Sequence, residues 1–240
     1  MTPSGARTRD LAVVGAAVAE VLERVFATVV DVRAAAMRPA ARESLRAGSP
    51  VLDDGVRKLL LAPGQLAVGL GLVPAPKPEP TSPVRLEWWQ VDPRSGAVGS
   101  LEPDLRPASM GYYDYTAAEW FDVPRRSGAR HVVGPYVDVH GTGRYLLTFT
   151  EPGVVDAEFL GVAGADVPVS RFEGRLLQTL GRTSAPFLLV NDEDRIVLST
   201  SSRCLVGSLL RDGTGPGPVA RIPGVPWRLA LVEGKTPLPG

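Results

Sequence analysis

The sequence predicts an α+β fold in which a long N-terminal helix packs along an antiparallel sheet. Three observations lead there. Leu11, Val14, Val18, Leu22, Val25, Val29 and Val32 recur at steps of three and four, the period of one apolar helix face. Beyond Gln65, short β-branched and aromatic runs follow one another across turn-forming residues, as hairpins do. No strand reaches the next through the regular helical crossovers of a parallel sheet, so Rossmann and TIM-barrel architectures are not expected.

Taken in order, the first helix is expected from about Arg9 to Arg46, with a break near Pro39 because proline disrupts a helix interior. Residues 11–19, preceded by Arg7 and Arg9, have the length and flanking charge of a short signal-peptide core. However, Asp10 interrupts the basic flank, and the apolar stripe runs on past any cleavage point, with Glu20 and Arg24 at supportive i,i+4 spacing. The helix is therefore preferred, and a cytoplasmic location with it. Asp53 or Asp54 caps a short helix through Val56–Leu61. Gln65 to Val73 reads as a strand, and the proline-rich stretch 74–80 as a stiff connector. Leu86–Asp92 and a weaker strand from Ala97 flank the Pro93–Gly96 turn. Tyr115 to Phe121 is expected as a short helix ending before Pro124. Strands are expected at Val132–Val133, Arg144–Thr150 and Glu158–Val167. A helix capped by Ser170 follows, then a strand pair, Pro186–Val190 with Arg195–Thr200, across a polar turn. Gly213–Gly217 reads as a loop and Trp227–Glu233 as the last strand. The predicted organisation is a helix over 1–50, a ligand-binding core over 51–183, and a strand extension of the same domain over 184–240.

Composition limits the function classes. The 240 residues carry 26 Lys+Arg and 26 Asp+Glu, a balance that gives no argument for nucleic-acid or membrane-surface binding. Cys204 is the only cysteine, so no intrachain disulfide or cysteine-based metal cluster is possible. No run approaches the ~18 apolar residues of a membrane span. Only two histidines occur, His131 and His140. Asp138 and His140 alternate with Tyr136, but one such pair falls short of the three or four ligands a metal needs. There is no Gly-x-Ser-x-Gly elbow and no Walker loop, and Gly213–Gly217 lacks a lysine and a following helix.

The most informative stretch lies between Tyr112 and Val167. It contains Tyr112-Tyr113-Asp114-Tyr115, then Trp120-Phe121, then Tyr136-Val137-Asp138, and finally Gly161-Val162-Ala163-Gly164-Ala165-Asp166. As an ordered set these residues resemble the Cache sensor domains, relatives of the PAS fold, over about Leu86 to Thr200. The resemblance implies a PAS-like antiparallel sheet that recognises a small molecule and does no chemistry on it. It also implies that Trp120 and Phe121 line the ligand, that Tyr136 follows them, and that Asp166 anchors a ligand amine. Members that bind amino acids carry an arginine two residues before the tryptophan, to clamp the ligand carboxylate. Here that residue is Ala118, so an amine is favoured over an amino acid. One of Arg125, Arg126 and Arg130 could replace the clamp for an anionic ligand.

The expected ligand-binding set is Trp88, Tyr115, Trp120, Phe121, Tyr136, Asp138 and Asp166. Aromatic rings offer burial area and a π-face for a cation, and a carboxylate offers a point anchor. Gly161 and Gly164 leave their strand bare enough for a ligand to approach the backbone. Simpler readings stand beside these. Asp166 could instead cap the following helix or pair with a buried arginine, and the three tyrosines could be a rim or ordinary packing. Glu119 could lie on the helix surface or turn inward. Trp88 and Trp89 must face opposite sides of the sheet, one of them inward. No cofactor or metal is expected. The partners expected are a small metabolite, a separate regulator or transporter protein, and a second copy of the chain through the N-terminal helix. The rival reading is a small metabolic enzyme using Asp138, His140 and Asp166 for acid–base chemistry.

Overall fold

The computed structural model describes residues 3–47, 49–52, 54–76, 86–106, 108–138, 143–181, 186–210 and 216–232. It divides into two compact units. One comprises Arg24–Val133 and Val137–Pro168, the other Met1–Glu23, Gly134–Tyr136 and Val169–Gly240. Among the described residues no helix is long and apolar enough to cross a membrane.

The chain begins with α1 (Pro3–Ala36), which breaks before α2 (Pro39–Ala47), and α3 (Asp54–Leu60) follows. Pro39 thus opens α2, the position where its missing N–H costs nothing. The strands β1 (Gly69–Pro74), β2 (Glu87–Val91), β3 (Val98–Ser100), β4 (His131–Val137), β5 (Tyr145–Val155) and β6 (Glu158–Pro168) form one sheet in the order β3-β2-β1-β6-β5-β4. The neighbours from β3 to β5 are antiparallel.

Register separates the two faces of this sheet, because directly paired residues point the same way. Leu70 pairs with Ala165 and Leu72 with Ala163 on β6, while Phe149 of β5 pairs with Ala165 and Leu147 with Val167. This apolar face receives the C-terminal part of α1: Phe26 meets Phe149 edge-on at 5.4 Å. Arg33 reaches Glu151 at 3.1 Å. Glu87, also on this face, accepts the N–H groups of Val51 and Leu52 at 2.8 and 2.9 Å, which satisfies a buried carboxylate with backbone donors. The opposite face carries Trp88, Gly69, Gly71, Thr148, Thr150, Gly164 and Asp166. It is overlaid by a 3-10 turn (Tyr115–Ala117) and α4 (Glu119–Ser127).

In the second unit, α5 (Val169–Leu180) accompanies β7 (Phe187–Val190), β8 (Ile196–Ser199), β9 (Pro216–Arg221) and β10 (Arg228–Val232), in the order β8-β7-β10-β9. Phe172 of α5 meets Trp227 edge-on at 5.9 Å. The Asn191 side chain closes the β7–β8 turn by accepting the N–H groups of Glu193 and Arg195 at 3.1 and 2.8 Å.

Several expectations change. The described strands of residues 184–240 form a sheet of their own. The expected helix over Tyr115–Phe121 is a 3-10 turn followed by α4, which runs through Pro124 to a left-handed cap at Gly128. β5 also runs through Pro152. The Thr150 hydroxyl donates to the carbonyl of His131, the first residue of β4 (3.3 Å). β5 therefore outruns its outer neighbour, and proline is tolerated at such an edge. The expected loop Gly213–Gly217 lies outside the described residues up to 215, and from Pro216 it is β9. That too is an edge strand, where Pro216 and Pro218 remove no ladder bond the sheet needs.

Candidate functional site

The site grows from β6. Asp166 stands on the face overlaid by α4, and its two oxygens already have protein donors. The Thr148 hydroxyl donates to Oδ1 at 2.7 Å and the Trp88 indole N–H to Oδ2 at 3.1 Å. Thr148 is there because it pairs directly with Asp166 across β5–β6. Trp88 starts two strands away on β2 and reaches Asp166 by lying over β1 and β6. A Cβ on Gly69 would stand 2.7 Å from its Nε1, one on Gly71 2.8 Å from its Cε3, and one on Gly164 3.0 Å from its Cη2. Gly69 and Gly164 thus leave room for one indole, while a Cβ on Gly71 would first meet the Glu87 carbonyl at 2.1 Å, so that glycine serves strand packing as well. Trp88 is 5 % exposed. The bare face of Gly164, read from sequence as room for a ligand, is filled by Trp88. A Cβ on Gly161 would meet the Val73 carbonyl at 2.4 Å, so that glycine serves strand packing.

Burial pushes the Asp166 carboxyl up to about 7, against an ordinary value of 3.8. The Thr148 hydrogen bond opposes this, the nearby Asp138 charge reinforces it, and Trp88 and Arg144 oppose it more weakly. Both direct donors are neutral, which leaves the anchor's charge only partly compensated. Arg144, just before β5, is the cation that acts on it; its Nη2 donates to the Val91 carbonyl at 2.8 Å. Asp138 follows β4 and is half-buried, its N–H donating to the Arg144 carbonyl at 2.9 Å.

An aromatic group packs on the same face. Tyr115 and Phe121 are 3 % and 0 % exposed, and they share a core cluster with Val73, Trp88 and Val162. Tyr115 lies nearly parallel to Trp120 (6.3 Å, 21°), and Phe121 meets both rings edge-on. Burial pushes the Tyr115 hydroxyl up to about 12. Trp120 is half-buried and donates its indole N–H to the Tyr113 hydroxyl at 3.1 Å. Burial raises Tyr113 as well, with smaller contributions from the Asp138 and Asp166 charges. Asp114 caps the 3-10 turn, accepting the Thr116 N–H at 3.0 Å and its hydroxyl at 2.6 Å. Asp104 holds the preceding loop through Arg106 and Ser109. At the start of α4, Glu119 meets the buried His131 ring at 2.7 Å, which ties the helix to β4.

The structure therefore brings together five of the seven expected residues around the overlaid face: Trp88, Tyr115, Trp120, Phe121 and Asp166. Asp138 stands close enough for its charge to act on Asp166. Tyr136 is half-buried on β4 and belongs to the other unit. Thr148, Tyr113 as partner of Trp120, Arg144, and the Glu119–His131 pair were not picked out from sequence. The polar Thr148 and Thr150 among Leu146, Leu147 and Phe149 were the available signal. The three arginines considered as a substitute clamp have other partners. Arg125 and Arg126 both pair with Asp122 at 2.6 Å, and Arg130 lies 4.3 Å over the Phe26 ring on the opposite face of the sheet. His140 lies outside the described residues. Among those residues no three metal-ligating side chains converge.

No family model matches the chain, and no curated protein does. Solved structures do. The ligand-binding domain of the Pseudomonas aeruginosa amino acid chemoreceptor PctB, in complex with L-arginine, is similar at TM-score 0.62 and 14 % identity, over 96 % of this chain and 94 % of that one. The ligand-binding domain of the Pseudomonas fluorescens chemoreceptor CtaA, in complex with L-valine, is similar at TM-score 0.59 and 14 % identity, over 95 % of each chain. A protein described as the extracellular domain of a histidine kinase gives TM-score 0.56 at 16 % identity, over 94 % of this chain and 91 % of that one. At these identities the likeness shows the fold: the chain has the Cache-type architecture of chemoreceptor ligand-binding domains.

Proposed function

We propose that this protein reversibly binds a small organic amine and transmits its presence without altering it. The observation that carries this reading is the Asp166 carboxylate: largely withdrawn from water, held by two neutral donors, and flanked by an aromatic group. A buried carboxylate so placed favours a cation that brings its own hydrogen bonds. In this reading Trp120 borders the guest, Tyr115 and Phe121 support it from behind, and Asp138 adds negative potential. The absence of a cation at Ala118, together with the engagement of the Trp120 N–H by Tyr113, disfavours a ligand carboxylate and hence an α-amino acid. The similar domains named above support sensing over catalysis, and with it the reading of Asp138 and Asp166 as recognition groups rather than an acid–base pair.

Output would pass to a separate protein, a transcription regulator or a transporter, with the solvent-facing side of α1 as the surface for self-association, since its apolar stripe is buried within the chain. A cytoplasmic setting belongs to the same reading and is supported by the apolar stripe that runs on from Leu11 to Val32, past residues 11–19. Fractionation that finds the chain outside the cell would overturn that part.

The test is a thermal-shift screen over amines, amino acids, carboxylates and purines, followed by mass analysis of the recovered compound. An amine that raises Tm and returns unchanged supports the proposal. A hit that is chemically converted, or one confined to carboxylates, overturns it.

A further inference from the structure

Resting on the amine reading above, we infer that the guest is gripped as a hydrogen-bonding ammonium, primary or secondary. We also infer that Trp88 is the positioning residue that fixes which lone pairs of Asp166 it meets; quaternary ammonium ions are excluded.

A carboxylate offers about four lone-pair directions, two on each oxygen. In this protein one on each is already used, Oδ1 by Thr148 and Oδ2 by Trp88. What remains is one acceptor direction per oxygen, a pair that suits two N–H donors on one nitrogen. A trimethylated nitrogen has no N–H and would leave both acceptors buried without partners, which is the expensive outcome. Quaternary ions are ordinarily recognised by several aromatic faces that surround them. The rings of this unit do not offer that. Trp88 lies against the floor made by Gly69, Gly71 and Gly164, and Tyr115 and Phe121 are packed into the core. Tyr115 also runs parallel to Trp120, on which it stacks. Recognition therefore falls to the carboxylate, and the carboxylate's orientation falls to Trp88. Gly69 and Gly164 give this role its structural cost, since each leaves out a side chain where the indole crosses β1 and β6.

The experiment measures binding of straight-chain alkylamines from propyl to octyl, each as the primary amine, the N-methyl amine and the trimethylammonium ion. The proteins compared are the wild type, Trp88→Phe and Gly69→Ala, with folding of each variant checked by circular dichroism. Wild type should bind the primary and N-methyl forms at least about tenfold tighter than the trimethylammonium form. Trp88→Phe keeps an aromatic ring but deletes the N–H, and should bring that ratio toward one. Gly69→Ala should do the same by wedging the pair apart, because its new Cβ would stand 2.7 Å from the Trp88 Nε1 and 2.9 Å from the Asp166 Oδ2. If Trp88 only fills space, its variant weakens all three forms alike and leaves the ratio unchanged, which overturns the positioning role. Trimethylammonium binding as tight as the primary amine overturns the ammonium class while leaving the amine reading intact. No binding by any member overturns both.

Discussion

The two faces of the six-stranded sheet are made by the same strands and could hardly differ more. The face toward α1 presents Leu70, Leu72, Leu147, Phe149, Ala163, Ala165 and Val167, all fully buried. One residue along each strand, the other face presents Gly69, Gly71, Thr148, Thr150, Gly164 and Asp166, with Trp88 laid across them. The first set holds the sheet together. The second gives up apolar packing for three glycines and a carboxylate whose proton affinity is raised by burial. Period-two alternation lets one sheet separate stability from recognition, because a change on one face leaves the side chains of the other in place.

The largest effect should come from the stabilising face. Phe149→Ala removes a fully buried ring that meets Phe26, and should cost about 3–5 kcal/mol in chemical denaturation. Amine affinity, measured on protein that remains folded, should be unchanged; a loss of affinity there would break the separation. Asp166→Asn should do the reverse, lowering amine affinity by about a hundredfold because one partner of a desolvated charge pair is gone. Its effect on stability depends on pH. The native carboxyl keeps its proton to about pH 7, whereas 3.8 is the ordinary value for the unfolded chain. Between these limits the folded state binds more protons, so stability falls as pH rises, by up to ~1.4 kcal/mol per pH unit. Asp166→Asn should abolish that slope and be more stable than wild type at pH 8. Amine binding runs the other way: it needs the ionised form, so affinity should rise about tenfold per pH unit up to pH 7 and then level off. Titration calorimetry across pH reads this directly, and a flat profile would remove Asp166 as the anchor.

This comparison also explains what the sequence disclosed. The stabilising face was legible: the stripe from Leu11 to Val32 and the apolar strand residues foretold a helix on a sheet. The 37–38 break was placed by Pro39. On the other face, the positions Trp120, Phe121 and Asp166 were legible as an ordered set, and Trp88 was one of two neighbours that had to turn inward. What stayed hidden depends on register, which no single strand discloses. Thr148 matters only because it pairs with Asp166. Gly69 matters because Trp88 and Asp166 meet above it, and Gly71 because the Glu87 carbonyl and Trp88 leave no room for a Cβ. Arg144 comes near Asp166 only through the strand order that places β5 beside β6. The strands Pro186–Val190, Arg195–Thr200 and Trp227–Glu233 were legible one by one, but hairpin signals do not say which sheet a hairpin joins. β9 was missed because its prolines read as a loop until an edge position explains them.

The smallest effect sharpens the comparison from the border of the stabilising face. Arg33 meets Glu151 at 3.1 Å, with side-chain exposures of 38 % and 11 %. Water reaches the arginine, so screening and side-chain entropy cancel most of the attraction, and Arg33→Ala should cost only about 0.2–1 kcal/mol. The loss should shrink further in high salt, because the Debye length falls to roughly 3 Å at 1 M. Both the charge and the position matter here: Glu151 is the next residue along β5 from Thr150, yet it points to the other face. Amine affinity in Arg33→Ala should therefore match wild type within error. A variant that lost binding while keeping its stability would mean that α1 communicates through β5 to Asp166, and that the two faces are coupled rather than separate.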